Sequence, residues 1–122
     1  MTYSYDTDNI FAKILRGEIP CTKVAESDLS LAFRDINPAA PVHVLVIPKG
    51  PYVNMDHFGA DASDAEIADF YRLVSDVVRK EGLVEDGFRV ISNAGAHGLQ
   101  EVPHVHVHVV GGRVLGRMLE AQ

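Results

Sequence analysis

The chain of 122 residues has one cysteine and no tryptophan, and its eleven basic residues are outnumbered by seventeen acidic ones. Each shortage closes a class of readings. Cys21 alone cannot form an internal disulfide, so the sequence reads as a protein of a reducing cytoplasm rather than a stapled secreted domain. Met1-Thr2-Tyr3-Ser4-Tyr5-Asp6 has neither the basic nor the apolar stretch of a signal peptide. No apolar run approaches the roughly 20 residues of a membrane helix, so no membrane partner is expected. A formal charge of −6 opposes polyanion binding, which needs clustered Lys and Arg, and removes nucleic acid from the expected partners. A small phosphate ligand stays open, because backbone N–H groups and a few histidines can hold it without a basic surface.

What is present fits one globular domain over residues 1–122, with 47% hydrophobic and 23% charged residues. Asp8 is placed to cap a short helix carrying Ile10, Phe11, Ile14 and Leu15, stopped by Gly17 and Pro20. Thr22 to Ala25 and Leu29 to Ile36 read as a hairpin around Glu26-Ser27-Asp28, and Val42 to Ile47 as a third strand ended by Pro48. Ser63 and Glu66 form a capping box before Ile67, Phe70, Val74, Val77 and Val78 at helical spacing, with Gly82 as the stop. Asp76 and Lys80 are spaced to pair on its wet face. Phe88 to Ser92 and Val102 to Val110 complete five strands, joined by the glycine-bearing loop Asn93 to Gln100. The expected class is α+β: a five-stranded antiparallel sheet with one long and one short helix.

Half of the six histidines fall within His104-Val105-His106-Val107-His108. On a strand such a run puts three imidazoles on one face and the valines on the other. A purely structural face would take valine or threonine, so the run points to chemistry. Metal binding is one reading, but His104 and His108 lie about 13 Å apart at the strand rise and cannot share an ion; a two-histidine site completed from elsewhere remains. Nucleophilic catalysis is the other. A neutral imidazole attacks phosphorus, and a protonated neighbour steadies oxyanions or protonates the leaving group. The Gly95 to Gly98 loop is suited to bring backbone donors to the phosphate.

The run His104 to Val110 resembles the histidine-triad (HIT) superfamily, and the chain is most similar to its Hint branch. Asn9 to Ile14, Gly17 to Pro20, Ala32 to Pro38, Pro41 to Lys49 and Gly111-Gly112-Arg113 carry the likeness in order, over about residues 8 to 113. The resemblance implies a homodimer with a ten-stranded sheet and a bound purine nucleoside monophosphate or its conjugates. It implies hydrolysis of phosphoramidates or acyl-nucleotidylates through a nucleotidyl-histidine, without cofactor. By position His106 is the nucleophile, His108 the contact to phosphate and leaving group, and His104 with His43 a supporting relay. Asp35 would accept the ribose hydroxyls, with Phe11, Phe33 and Ile36 around the base and Asn93, Gln100 and Glu101 near the phosphate. For Phe11 and Phe33 plain core packing, and for Asp35 a turn cap, are the competing readings. Two further classes stay open: dinucleoside polyphosphate hydrolysis of the Fhit type, and nucleotide binding with incidental turnover.

Two departures from the branch matter. Glu101 stands where many relatives have Ser or Thr, and its carboxylate, if it faces the site, would repel phosphate and raise the pKa of a histidine acting as leaving-group acid. The zinc ligands of some relatives are replaced by Asn9, Ala12 and Pro51, so no metal is expected. His57 and His97 are read as loop residues and Lys49 as solvated.

Overall fold

The computed structural model describes residues 3–119. Its elements are α1 (Ile10–Leu15), β1 (Lys23–Glu26), β2 (Ser30–Arg34), β3 (Val42–Pro48), α2 (Met55–Asp61), α3 (Asp64–Lys80), β4 (Phe88–Ile91) and β5 (Val107–Gly111). The strands form one antiparallel sheet in the order β1-β2-β3-β5-β4. The expected α+β class is therefore found.

Local chemistry explains most boundaries. The capping box of α3 forms as expected: Ser63 Oγ accepts from Glu66 N at 3.1 Å, and Glu66 returns the bond to Ser63 N. Its far end is a Schellman motif, with Gly82 at φ +71° and the Leu83 N–H bonded to Val78 O. Asn9, rather than Asp8, caps α1, its Oδ1 accepting from Ala12 N at 2.9 Å while Asp6 O holds its Nδ2. The expected Asp76–Lys80 pair does not form, because Lys80 Nζ reaches across to Val24 O instead.

Four expectations are corrected. Among the described residues there are three helices: α2 escaped sequence reading because it buries only Phe58 and contains Gly59, a poor helix residue. His57 therefore lies on a helix, its Nδ1 accepting from Val53 N, whereas His97 does lie in a loop. Lys49 is not merely solvated but pairs with Glu26 at 2.7 Å. Most consequential, β5 begins at Val107, not Val102. Pro103 has no N–H to give a ladder, His104 N turns back to Val102 O, and Val105 N donates to Tyr52 O.

Each sheet face buries its own cluster. Val44, Val46, Val105, Val107 and Val109 meet Phe70, Leu73, Val74, Val77 and Val78 of α3. On the opposite face Phe11 of α1 packs with Leu31, Phe33, Leu45 and Ile47. Strand alternation then assigns His43 and His108 to the α1 face, since their neighbours Val44 and Val109 face α3.

Candidate active site

The three histidines are held by three different devices, because the chain leaves the sheet between His106 and Val107. His104 is fully buried. Its Nε2 lies 2.8 Å from Pro48 O, a carbonyl that can only accept, so Nε2 carries the proton and Nδ1 accepts from Tyr5 Oη–H at 2.6 Å. His106 Nδ1 lies 2.7 Å from His104 O and by the same argument donates to it. The bare lone pair of His106 is therefore on Nε2. His43 Nδ1 accepts from Ala39 N at 2.9 Å, which leaves the proton on Nε2, facing His108 Nδ1 at 2.9 Å. His108 in turn carries its proton on Nε2. Each run of hydrogen bonds starts from a backbone group that has no choice of role: Pro48 O, His104 O and, through His43 to His108, Ala39 N.

The expected single relay of His104 and His43 is thus two separate supports. His104 positions His106 through its backbone carbonyl, and His43 positions His108 through its ring. Asp35 joins the second support, its Oδ2 3.4 Å from His43 Nε2 while Oδ1 accepts from Asn37 N. It is both a turn cap and a group of the site.

Burial pushes the pKa of His106 below the ordinary histidine value, and those of His104 and His108 down to about 4. His106 adds a repulsive contribution to both neighbours. The expectation of one protonated imidazole is therefore not met in the free protein: the triad is neutral and offers one lone pair and one N–H. Glu101 is exposed; together with Asp35 it opposes the shift at His106, whereas at His108 Asp35 alone does so. Its electrostatic reach is thus to His106 rather than to a leaving-group acid.

A cavity of about 580 Å³ opens over these atoms. It is lined by Phe11, Phe33, Asp35, Ile36, Asn93, Gln100, Glu101, His106 and His108, so nine of the eleven expected site residues converge on it. His104 and His43 lie behind it. Among the described residues Ser30 Oγ is the only buried side-chain polar atom without a partner, so the unbonded His106 Nε2 is open to the cavity. Phe11 and Phe33 serve both readings: they pack in the core, and Phe11 sets its edge against the His106 ring at 5.0 Å. Ile36 sits on the rim, 92% exposed. Sequence reading missed Ile10, Ile14, Ile19, Thr22 and Cys21 on the cavity wall; the first two follow from the exposed side of α1, and the others lie in a segment without periodicity.

The loop from Asn93 to Gln100 differs from expectation in its amides. Gly95 N donates to Gln100 Oε1, Gln100 N to Gly95 O and Leu99 N to Ala96 O, so these donors serve the loop itself. Gln100 Nε2 is tied to Val53 O and Val102 O. Leu99 holds φ +58° at the cavity mouth, a conformation most side chains avoid. Asn93 keeps its side-chain amide without a hydrogen bond among the described residues, half-buried on the cavity wall.

Asp35, His43 and His108 place three potential metal ligands within 4.8 Å of one another. The protons oppose an ion there. Ligation through His43 Nε2 requires its proton on Nδ1, where the Ala39 N–H already points.

The HIT domain family matches residues 16–115. The chain belongs to the HIT family. An uncharacterised 13.2 kDa HIT-like protein of Azospirillum brasilense is 57% identical over 119 residues, 98% of each chain. The purine nucleoside phosphoramidase of Escherichia coli K12 is 43% identical over 112 residues, 92% of this HIT protein and 93% of its own length. Among solved structures, a histidine triad protein from Clostridium difficile superposes with a TM-score of 0.82 at 39% identity, covering 95% of this chain and all of its own. No helix among the described residues is long and apolar enough to cross a membrane.

Proposed function

We propose that this HIT protein is a hydrolase of the Hint branch that cleaves purine nucleoside 5′-phosphoramidates or acyl-nucleotidylates through a nucleotidyl-His106 intermediate. The observation that carries the reading is the His106 Nε2 lone pair, open to a nucleoside-sized cavity while Nδ1–H is fixed on His104 O. The 43% identical E. coli phosphoramidase supports the substrate class.

In this reading the nucleoside lies against Phe11, Phe33 and Ile36, with its ribose hydroxyls on Asp35. His106 Nε2 attacks the α-phosphorus, and the P–N bond breaks as the departing nitrogen takes a solvent proton relayed through His108 Nε2, which itself stays neutral; in an acyl-nucleotidylate the P–O bond breaks and the carboxylate leaves without a proton. The nucleotidyl-imidazole carries a positive charge. Water then attacks phosphorus, gives a proton back to solvent by the same relay, and releases His106 neutral. Asn93 supplies a side-chain donor to the phosphate. No step uses a metal, in keeping with the proton already fixed on His43 Nε2.

The test is a comparison of kcat/KM for an adenosine 5′-phosphoramidate and for diadenosine tetraphosphate, each with and without EDTA. The phosphoramidate is expected to be favoured by at least about a hundredfold, roughly 3 kcal/mol of differential transition-state binding. EDTA is expected to leave both values unchanged. Preference for the tetraphosphate would move the protein to the Fhit-type reaction, and loss of activity in EDTA restored by zinc would overturn the metal-free mechanism.

A further inference from the structure

Beyond His108 the site face of the sheet continues onto β4, and there it turns basic. A second cavity of about 290 Å³ is lined by His43, Asn93, His108, Arg89, Arg113 and Leu115 among others. Asn93 and His108 line both cavities, so the two meet at these side chains. The register explains the placement: His43 and Arg89 flank Val110 in one cross-strand row, and Leu45 and Ile91 flank His108 in the next. Arg89 therefore shares the histidine face, two strands from His43, or about 10 Å at the usual strand spacing.

Neither arginine has a carboxylate partner among the described residues, whereas Arg16 and Arg34 each pair with a glutamate. Arg89 gives one N–H to Gly116 O at 2.7 Å. Arg113 gives one to Ala39 O at 3.0 Å and one to Val114 O at 2.8 Å. A guanidinium has five N–H donors, so both keep spare ones in a fork suited to a carboxylate.

We propose that this second cavity is the leaving-group subsite, and that Arg89 and Arg113 make it selective for conjugates whose amine carries a carboxylate, of amino-acid size. The inference rests on the reaction proposed above. Displacement at phosphorus sends the leaving group away from His106, and with the nucleoside in the larger cavity the way out runs past His108 and Asn93. Size decides between anionic leaving groups. The second cavity has half the volume of the first, enough for an amino acid and too little for the nucleoside triphosphate that a dinucleoside tetraphosphate would release.

The test measures kcat/KM for the adenosine 5′-phosphoramidates of glycine and of glycinamide, which differ in charge and hardly in size, and for diadenosine tetraphosphate. The wild-type protein is expected to favour the glycine conjugate about tenfold over glycinamide, the order of one charge-assisted hydrogen bond. Arg89→Gln and Arg113→Gln are expected to collapse that ratio, and Arg89→Glu to invert it. The ratio within each variant controls for any disturbance from the carbonyls these arginines also hold. Equal values for the two conjugates in the wild-type protein would overturn the subsite while leaving the hydrolase reading intact; preference for the tetraphosphate would overturn the size assignment. If no conjugate is cleaved the hydrolase reading fails, and dissociation constants decide the subsite alone: tighter binding of the glycine conjugate, lost in the arginine variants, supports it, and equal affinities overturn it.

Discussion

At the scale of single residues the site separates attack from binding. His106 offers its lone pair without holding the nucleoside, so His106→Ala is expected to lower kcat by more than about a thousandfold while nucleoside monophosphate binds within roughly tenfold of wild type. Single-turnover kinetics and calorimetry check the two halves, and a variant retaining a tenth of kcat would remove His106 from the nucleophile role. Its protonation also has a sign. Burial lowers the pKa of His106, so the proton that blocks attack binds only below the ordinary value of about 6.5, and the acid limb of kcat/KM is expected beneath that pH. Glu101 opposes the depression. Glu101→Ser is therefore expected to move the acid limb lower still and to tighten monophosphate binding about threefold, by removing a like charge from the phosphate. A pH profile and a product inhibition constant that both stay in place would put Glu101 outside the reach of the site.

At the scale of elements, the end of β5 is a tight point of the scaffold. Gly112 sits at φ +95°, and a Cβ there would lie 2.9 Å from Pro41 Cβ in the turn that leads into β3 and His43. Gly112→Ala combines backbone strain with overlap and is expected to cost about 2 kcal/mol or more, seen as a lower urea midpoint with unchanged slope. An unchanged midpoint would show that the turn yields freely. The start of β5 shows where sequence reading stops. Alternation of His and Val was legible, and it correctly put the valines in the core, yet it carried the strand back to Val102. What ends the ladder is not a pattern but a set of distant partners, Tyr52 O for Val105 N and Pro48 O for His104 Nε2. For the same reason the four histidines and Asp35 were legible as residue types in a motif, whereas their division into two supports was not: Ala39 N and Pro48 O, which fix the tautomers, are backbone groups that any residue could supply. The helix α3 was legible to the residue because its box, periodicity and stop are all local.

At the scale of the whole molecule, β4 is an edge strand, and on the α3 face of the sheet its residues Phe88 and Val90 stay 46% and 41% exposed. An unpaired apolar edge invites pairing with a second copy, and a two-fold dimer joining two β4 strands is expected at micromolar concentration. Sedimentation of the wild-type protein and of Val90→Asp, expected to be monomeric, checks this; a fully active wild-type monomer would overturn it. The opposite end of the chain has a consequence of an optical kind. Tyr5 gives its hydroxyl proton to the buried His104 ring, and Tyr3 stacks on His57 with ring centroids 4.7 Å apart. With no tryptophan in the sequence to drain their excitation, the four tyrosines supply the whole intrinsic emission. Three of them touch imidazoles, Tyr52 also meeting His57, but Tyr5 alone touches the triad, so the protein carries a built-in fluorophore there, and detachment of the N-terminal segment from His104 is readable without any label.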